Sequence, residues 1–192
     1  TAEIVGFLGP HGAGKSTLLN LLCGLIKPTI GKVFIDGISI SDMKNDGLSR
    51  ILLNDIGIIF QSFNLLPTYT LYENIELALV PQRLKREAIK GTIMSYLERF
   101  DLKDKAGLFP AEISVGQQQK VAIARTLVKQ PSIILADEPT GSVDDFSATE
   151  ILEHLVNLKK ERNLTLILAS HGNFAEKYAD RIIEIENGMI RN

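Results

Sequence analysis

Apolar residues in this chain gather into short unbroken runs, separated by longer stretches in which they recur every three or four positions. Residues 3–8 form such a run and predict a buried strand. Residues 15–25 carry apolar side chains on most faces of a helix, which predicts a buried helix. Lys32 to Ile35 reads as a second strand closed by the turn pair Asp36-Gly37, and Ile56 to Phe60 as a third. From Leu71 to Phe100 the period becomes helical. The cluster Arg83, Lys85 and Arg86 appears there, and Pro67, Pro81 and Pro110 punctuate the surrounding stretch. Residues 62–130 therefore predict a helical subdomain inserted between strands. Beyond it, Ile133 to Asp137, Leu164 to Ser170 and Arg181 to Glu186 read as strands, and Ser147 to Arg162 as a helix. Strands alternating with helices predict an α/β fold with a largely parallel sheet, residues 1–61 and 131–192 forming its core.

Composition narrows the class without changing that picture. The 192 residues suit one domain of ordinary size or one domain with a subdomain, and 45% apolar with 23% charged residues excludes a disordered chain. Lys and Arg number 21 against 23 Asp and Glu, so no basic excess exists to neutralise nucleic-acid phosphates. Cys23 is the only cysteine, which excludes an intrachain disulfide and fits a reducing compartment. It reads as a small core residue on the first helix. No apolar run approaches the roughly 18 residues of a membrane span. No secretory signal pattern opens the chain, which begins at Thr1.

The strongest chemical signal is Gly9-Pro10-His11-Gly12-Ala13-Gly14-Lys15-Ser16-Thr17, which matches G-x-x-x-x-G-K-[ST] between an apolar strand and a helix. Its glycines let backbone N–H groups curl round a phosphate. Lys15 is a long-stemmed charge that reaches the β- and γ-phosphates, Ser16 offers a hydroxyl to Mg²⁺, and Thr17 can bond the α-phosphate. The following helix turns its positive end to the anion. His11 stands at a variable position, as a spacer or as one more donor near the phosphates.

The run ending at Asp137-Glu138-Pro139 supplies the matching acids. Asp137, at a strand's C-terminal end, suits Mg²⁺. Glu138, one residue on, faces the other way and suits an attacking water as general base. Ser114-Val115-Gly116-Gln117-Gln118 precedes an apolar-periodic helix from Val121 to Val128, a second anion-binding helix start. The chain already has one phosphate loop, so this start points to a nucleotide held by another subunit. Gln61, after its strand, can reach Mg²⁺ or the water. His171, after Ser170, can donate to a γ-phosphate.

Together these residues resemble the ATP-binding cassette (ABC) ATPases from residue 3 to 190. Residues 9–17 resemble Walker A, Ile133–Glu138 Walker B with its catalytic glutamate, Gln61 the Q-loop residue and Ser114–Gln118 the family signature. Ser142-Val143-Asp144 resembles the D-loop, and His171 the switch histidine. Residues 63–67, 116–125 and 135–141 are similar to the lipoprotein-release and macrolide-export branch, which also contains antimicrobial-peptide exporters and a cell-division ATPase. The resemblance implies a phosphate-loop NTPase core with a mostly parallel sheet, an inserted α-helical subdomain and a small antiparallel β part. It implies ATP and Mg²⁺ as ligands, and a head-to-tail homodimer or paired cassette with each ATP between one Walker A and the partner's signature. It also implies a transmembrane permease subunit as partner, a place on the cytoplasmic face of the membrane, and no nucleic acid.

The sequence departs from the family pattern in places. Val115 stands where the signature has glycine, Ile113 where it has leucine, and Gly172 where an acid often follows the histidine. Only eight residues precede Gly9, and none resembles the aromatic that stacks on adenine; Phe7 lies within the buried strand. The expectation is that the Lys32–Ile35 strand lacks some antiparallel neighbours and that adenine is weakly held unless a further segment supplies the aromatic. Rival readings are an ATP-dependent signalling or mechanical module on a membrane protein, or a nucleotide-binding scaffold with little turnover. Glu138 and His171 oppose the scaffold. A kinase or GTPase is opposed by the signature and by the lack of an N-K-x-D motif. Tyr69 and Tyr72 read as groove lining or subdomain packing, Arg83, Lys85 and Arg86 as a solvated helix face, and His154 as a surface residue.

Overall fold

The computed structural model describes residues 2–170 and 177–191. Strands β1 (Ile4–Leu8), β4 (Ile56–Ile59), β5 (Ile133–Asp137), β6 (Thr165–Ser170), β7 (Arg181–Glu186) and β8 (Met189–Arg191) form one sheet in the order β4-β5-β6-β1-β7-β8. β1 pairs in parallel with both β6 and β7, β5 pairs in parallel with β6, and β8 closes antiparallel on β7. Parallel strands need covered faces, which is why β1 is apolar at nearly every position: Ile4, Val5, Gly6 and Phe7 are all buried. The expected α/β class with a mostly parallel sheet holds.

The chain divides into two compact units: Thr1–Ile58, Ser132–Glu138 and Leu158–Asn192 form one, Ile59–Pro131 and Pro139–Asn157 the other. In the first, Val5, Phe7, Leu19, Cys23, Ile56, Leu135, Ala169 and Ile185 share a core. Helix α1 (Lys15–Leu22) packs on β5 and β6. It stops short of the expected residue 25 and is less buried than its composition implies. Cys23 closes it, Gly24 turns left-handed at φ +72°, and Leu25 and Ile26 are exposed. The strand expected at 32–35 shrinks to β2 (Phe34–Ile35), which among the described residues pairs with β3 (Ile38–Ser39) alone, across the left-handed Asp36-Gly37 turn. Helix α2 (Asn45–Asn54) follows; the hydrophobic pattern had not marked it.

The second unit is helical. The stretch from 71 to 100 is not one helix: α3 (Leu71–Glu76) and α4 (Arg86–Arg99) are separated by a 3-10 turn at Val80–Gln82. Pro81 has no N–H to continue a helix, and Arg83 adopts φ +53°. Helix α5 (Val115–Leu127) packs on both, with Val121, Ile123 and Leu127 wholly buried and the Tyr96 hydroxyl donating to the Leu127 carbonyl at 2.9 Å. Helix α6 (Asp145–Arg162) begins in this unit. Its His154 is not at the surface: it is half-buried, edge-on to Phe100 with ring centroids 5.0 Å apart, and burial pushes its pKa below the ordinary histidine value. No helix among the described residues is long and apolar enough to cross a membrane.

Candidate functional site

Strand register builds the first half of the site. Leu8 pairs with Ser170 and Asp137 with Ala169, so the phosphate loop and the two acids leave the sheet at one edge. The loop needs glycine at Gly9 because a Cβ there would run into the carbonyl oxygen of Ile185. Gly14 caps α1 at φ +103° without any side-chain hydrogen bond, which leaves the helix's first N–H groups for a ligand. The Gly188 N–H, in the β7–β8 turn, donates to the Ala13 carbonyl at 3.0 Å and braces the loop.

Lys15 is 5% exposed and folds onto the loop, donating to the carbonyls of Gly9 at 2.7 Å and Pro10 at 3.1 Å. Its Nζ lies 3.8 Å from Oε1 of Glu138, which is itself 8% exposed. A buried ammonium and a buried carboxylate are tolerable only as partners. Glu138 is held at φ +44°, a region costly for a residue with a Cβ, and its N–H donates to the Ala169 carbonyl at 3.0 Å. The buried Asp137 Oδ1 has no hydrogen-bond partner among the described residues. A carboxylate oxygen left in that state suits a hard cation, and the exposed Ser16 at the start of α1 offers the kind of oxygen such an ion also takes. Thr17 is likewise exposed. His171 and Gly172 lie outside the described residues.

The other candidate residues belong to the second unit. Gln61 is exposed just after β4. The two residues Phe63 and Asn64 that follow it closely are gripped by Arg125 of α5, whose Nη2 and Nη1 donate to their carbonyls at 2.7 Å each. Asn74, wholly buried on α3, accepts from the Leu66 N–H at 2.7 Å and donates to the carbonyls of Leu66, Tyr69 and Thr70. Sequence reasoning missed both residues as organisers of this loop. The available signal was a polar side chain among apolar neighbours on each helix.

Ser114 caps α5: its Oγ accepts from the Gln117 N–H at 3.3 Å, and Gln117 Oε1 accepts from the Ser114 N–H at 3.1 Å. The Ser114 hydroxyl proton stays available to an anion. A Cβ on Gly116 would come within 2.7 Å of Ser147 Oγ, so close packing against the start of α6 favours glycine there. Gln119 donates to the Pro139 carbonyl at 2.6 Å, and Lys120 pairs with Glu150 at 2.6 Å, binding α5 to the segment leading into α6. Asp144 accepts from the Ser147 N–H and hydroxyl, which hold its carboxyl below the usual range.

The sequence profile of the ABC transporter family matches residues 1–141. The chain belongs to that family. The ABC transporter ATP-binding protein YtrE of Bacillus subtilis is 39% identical over 189 residues, covering 98% of this chain and 82% of that protein. The ABC transporter ATP-binding protein MJ0796 of Methanocaldococcus jannaschii is 39% identical over 192 residues, with the same coverage. Its dimeric structure superposes with a TM-score of 0.93 over all of this chain and 84% of that one, at 38% identity. A dimer of MJ0796 bound to ADP and Pi gives 0.92 at 37% identity. An import protein is also similar: the methionine import ATP-binding protein MetN of Rhizobium meliloti is 43% identical over 169 residues, 88% of this chain and 47% of that protein. This ABC chain is an ATP-binding ATPase subunit of a membrane transporter, and subunits of the family dimerise and work with membrane permease components.

Proposed function

We propose that this subunit binds ATP with Mg²⁺ on its phosphate loop and hydrolyses it to drive a transmembrane permease of the lipoprotein-, macrolide- or antimicrobial-peptide-exporting kind, from the cytoplasmic face of the membrane. Residues 1–61 and 131–192 act as the nucleotide core, and residues 62–130 as the helical subdomain. Gly9, Pro10, His11, Gly12, Ala13 and Gly14 wrap the phosphates through backbone N–H groups, proline excepted. Lys15 exchanges its carbonyl partners for the β- and γ-phosphates, and Thr17 meets the α-phosphate. Ser16, Asp137 and Gln61 would hold Mg²⁺, which neutralises charge on the phosphates when bound. Glu138 orients the attacking water and takes its proton as the water oxygen bonds to the γ-phosphorus and the bond to ADP breaks. His171 donates to the charge that develops. Ser114, Gly116 and Gln117 reach the nucleotide of the partner subunit in a homodimer or paired cassette.

One observation carries the reading: the phosphate-loop lysine and the acid after β5 meet in a buried pair, 3.8 Å apart. Permease docking draws support from exposed Leu66, Tyr69 and Leu77, and from a cleft of about 640 Å³ lined by Tyr72, Glu73 and Glu76 of α3 and by Arg86 and Lys90 of α4. Arg86 thus faces a groove as well as solvent. The export branch rests on the resemblance of residues 63–67, 116–125 and 135–141. Glu138→Gln tests the chemistry: it should keep ATP binding, lose phosphate release, and elute as a dimer with ATP on size exclusion. Release at the wild-type rate would remove Glu138 from the role.

A further inference from the structure

The chain that leaves β5 is held on both sides of Glu138. The Glu138 N–H donates to the Ala169 carbonyl at 3.0 Å, and the residue keeps φ +44°, which a side chain with a Cβ adopts only under constraint. Pro139 follows with no N–H of its own, so its carbonyl is the first group beyond the Glu138–Pro139 peptide by which the chain can be gripped. Gln119 of α5 grips it: Nε2 donates to that carbonyl at 2.6 Å. Gln119 is 1% exposed and Pro139 is buried, so the bond is shielded from solvent.

Packing alone does not account for this glutamine. Its Oε1 is buried with no hydrogen-bond partner among the described residues, so the amide is left half satisfied. A buried amide in that state adds little net stability, and an apolar side chain of similar length fills the same space. Nor is the bond needed to fix the helix. Gly116 already packs on Ser147, and Lys120 pairs with Glu150 at 2.6 Å, on the same face of α5.

We propose that Gln119 is a positioning residue for hydrolysis: by holding the Pro139 carbonyl from α5, it fixes the direction in which the Glu138 side chain leaves the backbone. This rests on the reading of Glu138 as the group that acts on water. The peptide between the two residues is planar, and the proline ring locks its own φ near about −65°. A grip on the far side of the proline is therefore carried rigidly back to Glu138, whose other side is pinned by Ala169. Without that grip the strained backbone relaxes, and the carboxylate turns away from the water. Gln119 is no part of the phosphate loop, so the loss falls on kcat and leaves ATP binding as it was.

The test is steady-state phosphate release at saturating Mg²⁺, with ATP affinity and calorimetric Tm, for the full chain carrying Gln119→Met, Gln119→Asn, Ile123→Val or Glu138→Gln, and for Gln119→Met combined with Glu138→Gln. Methionine keeps the length and loses the donor; asparagine keeps the donor but falls one methylene short, and answers if the methionine variant folds poorly. Both should lose kcat by about tenfold or more, with KM and ATP affinity within about twofold of wild type. Ile123, wholly buried on the same helix, serves as the packing control: its valine variant should lower Tm and keep the wild-type kcat. If Gln119 acts through Glu138, adding Gln119→Met to Glu138→Gln should cost no further turnover. Wild-type kcat in both Gln119 variants overturns the inference, as does the same fold-loss with and without Glu138. A kcat loss in Ile123→Val as large as that in Gln119→Met reduces Gln119 to a packing residue. Wild-type turnover by Glu138→Gln removes the reading of Glu138 beneath it, whatever the Gln119 variants do.

Discussion

His154 shows how a single side chain changes meaning once its neighbours are known. In the sequence it is a polar residue four positions after Glu150; in the fold its ring meets the edge of Phe100, and burial favours the neutral imidazole. The folded pKa lies below the ordinary value, so the unfolded chain binds the extra proton first as pH falls. Stability is therefore full above the ordinary histidine range and declines as pH drops through it toward the folded value. Calorimetric Tm between about pH 7.5 and 5 should fall more steeply for wild type than for His154→Gln. Equal slopes would mean that the ring stays hydrated. Lys15 and Glu138 are the opposite case: they stand out in the sequence as candidates, because glycine spacing and a strand-end acid are local signals. That they touch does not show there, because 122 residues separate them in the chain.

Helices and strands were read well where local chemistry is loud. The apolar runs of β1, β5 and β6 and the Asp36-Gly37 turn are such cases. They were missed where it is quiet. Helix α2 has no side-chain cap and buries no residue fully, and β8 is a three-residue exposed edge, so neither writes a strong period into the sequence. The 71–100 stretch reads as helical in period with Pro81 inside it, and the structure places the break between α3 and α4 at that proline. Asn74 belongs with these elements. Its amide closes four hydrogen bonds between α3 and the loop from Leu66 to Thr70. Asn74→Ala should cost about 3 kcal/mol in urea unfolding, since buried backbone groups lose their partners. A loss under half of that would mean that water replaces the amide. The neighbouring capping box between Thr70 and Glu73 leaves α3 its start in the variant.

For the whole molecule, the informative experiment mixes two broken subunits. In a head-to-tail dimer, each nucleotide uses Lys15 of one chain and Ser114 of the other. Lys15→Ala and Ser114→Arg should each be inactive alone. Mixed together they should regain part of the wild-type ATPase rate, because one of the two sites in the mixed dimer is intact. A mixture as inactive as its components would place Lys15 and Ser114 in the same chain's site, against the head-to-tail arrangement.

The chain's residue order determines the alternation of strand and helix, the phosphate loop, the paired acids and the α5 cap, because each depends on neighbours within a few positions. The tertiary structure alone decides the strand order β4-β5-β6-β1-β7-β8, the level ends of β1 and β5, and the grip of Arg125 on residues 61 and 62 positions away. It also decides the need for glycine at Gly9, which comes from the Ile185 carbonyl, and the preference for glycine at Gly116 beside Ser147. Those outcomes are set by packing between segments far apart in the chain, where no local pattern reaches. The convergence of His11 and Lys15 on one oxygen of Glu138 belongs to that packing too.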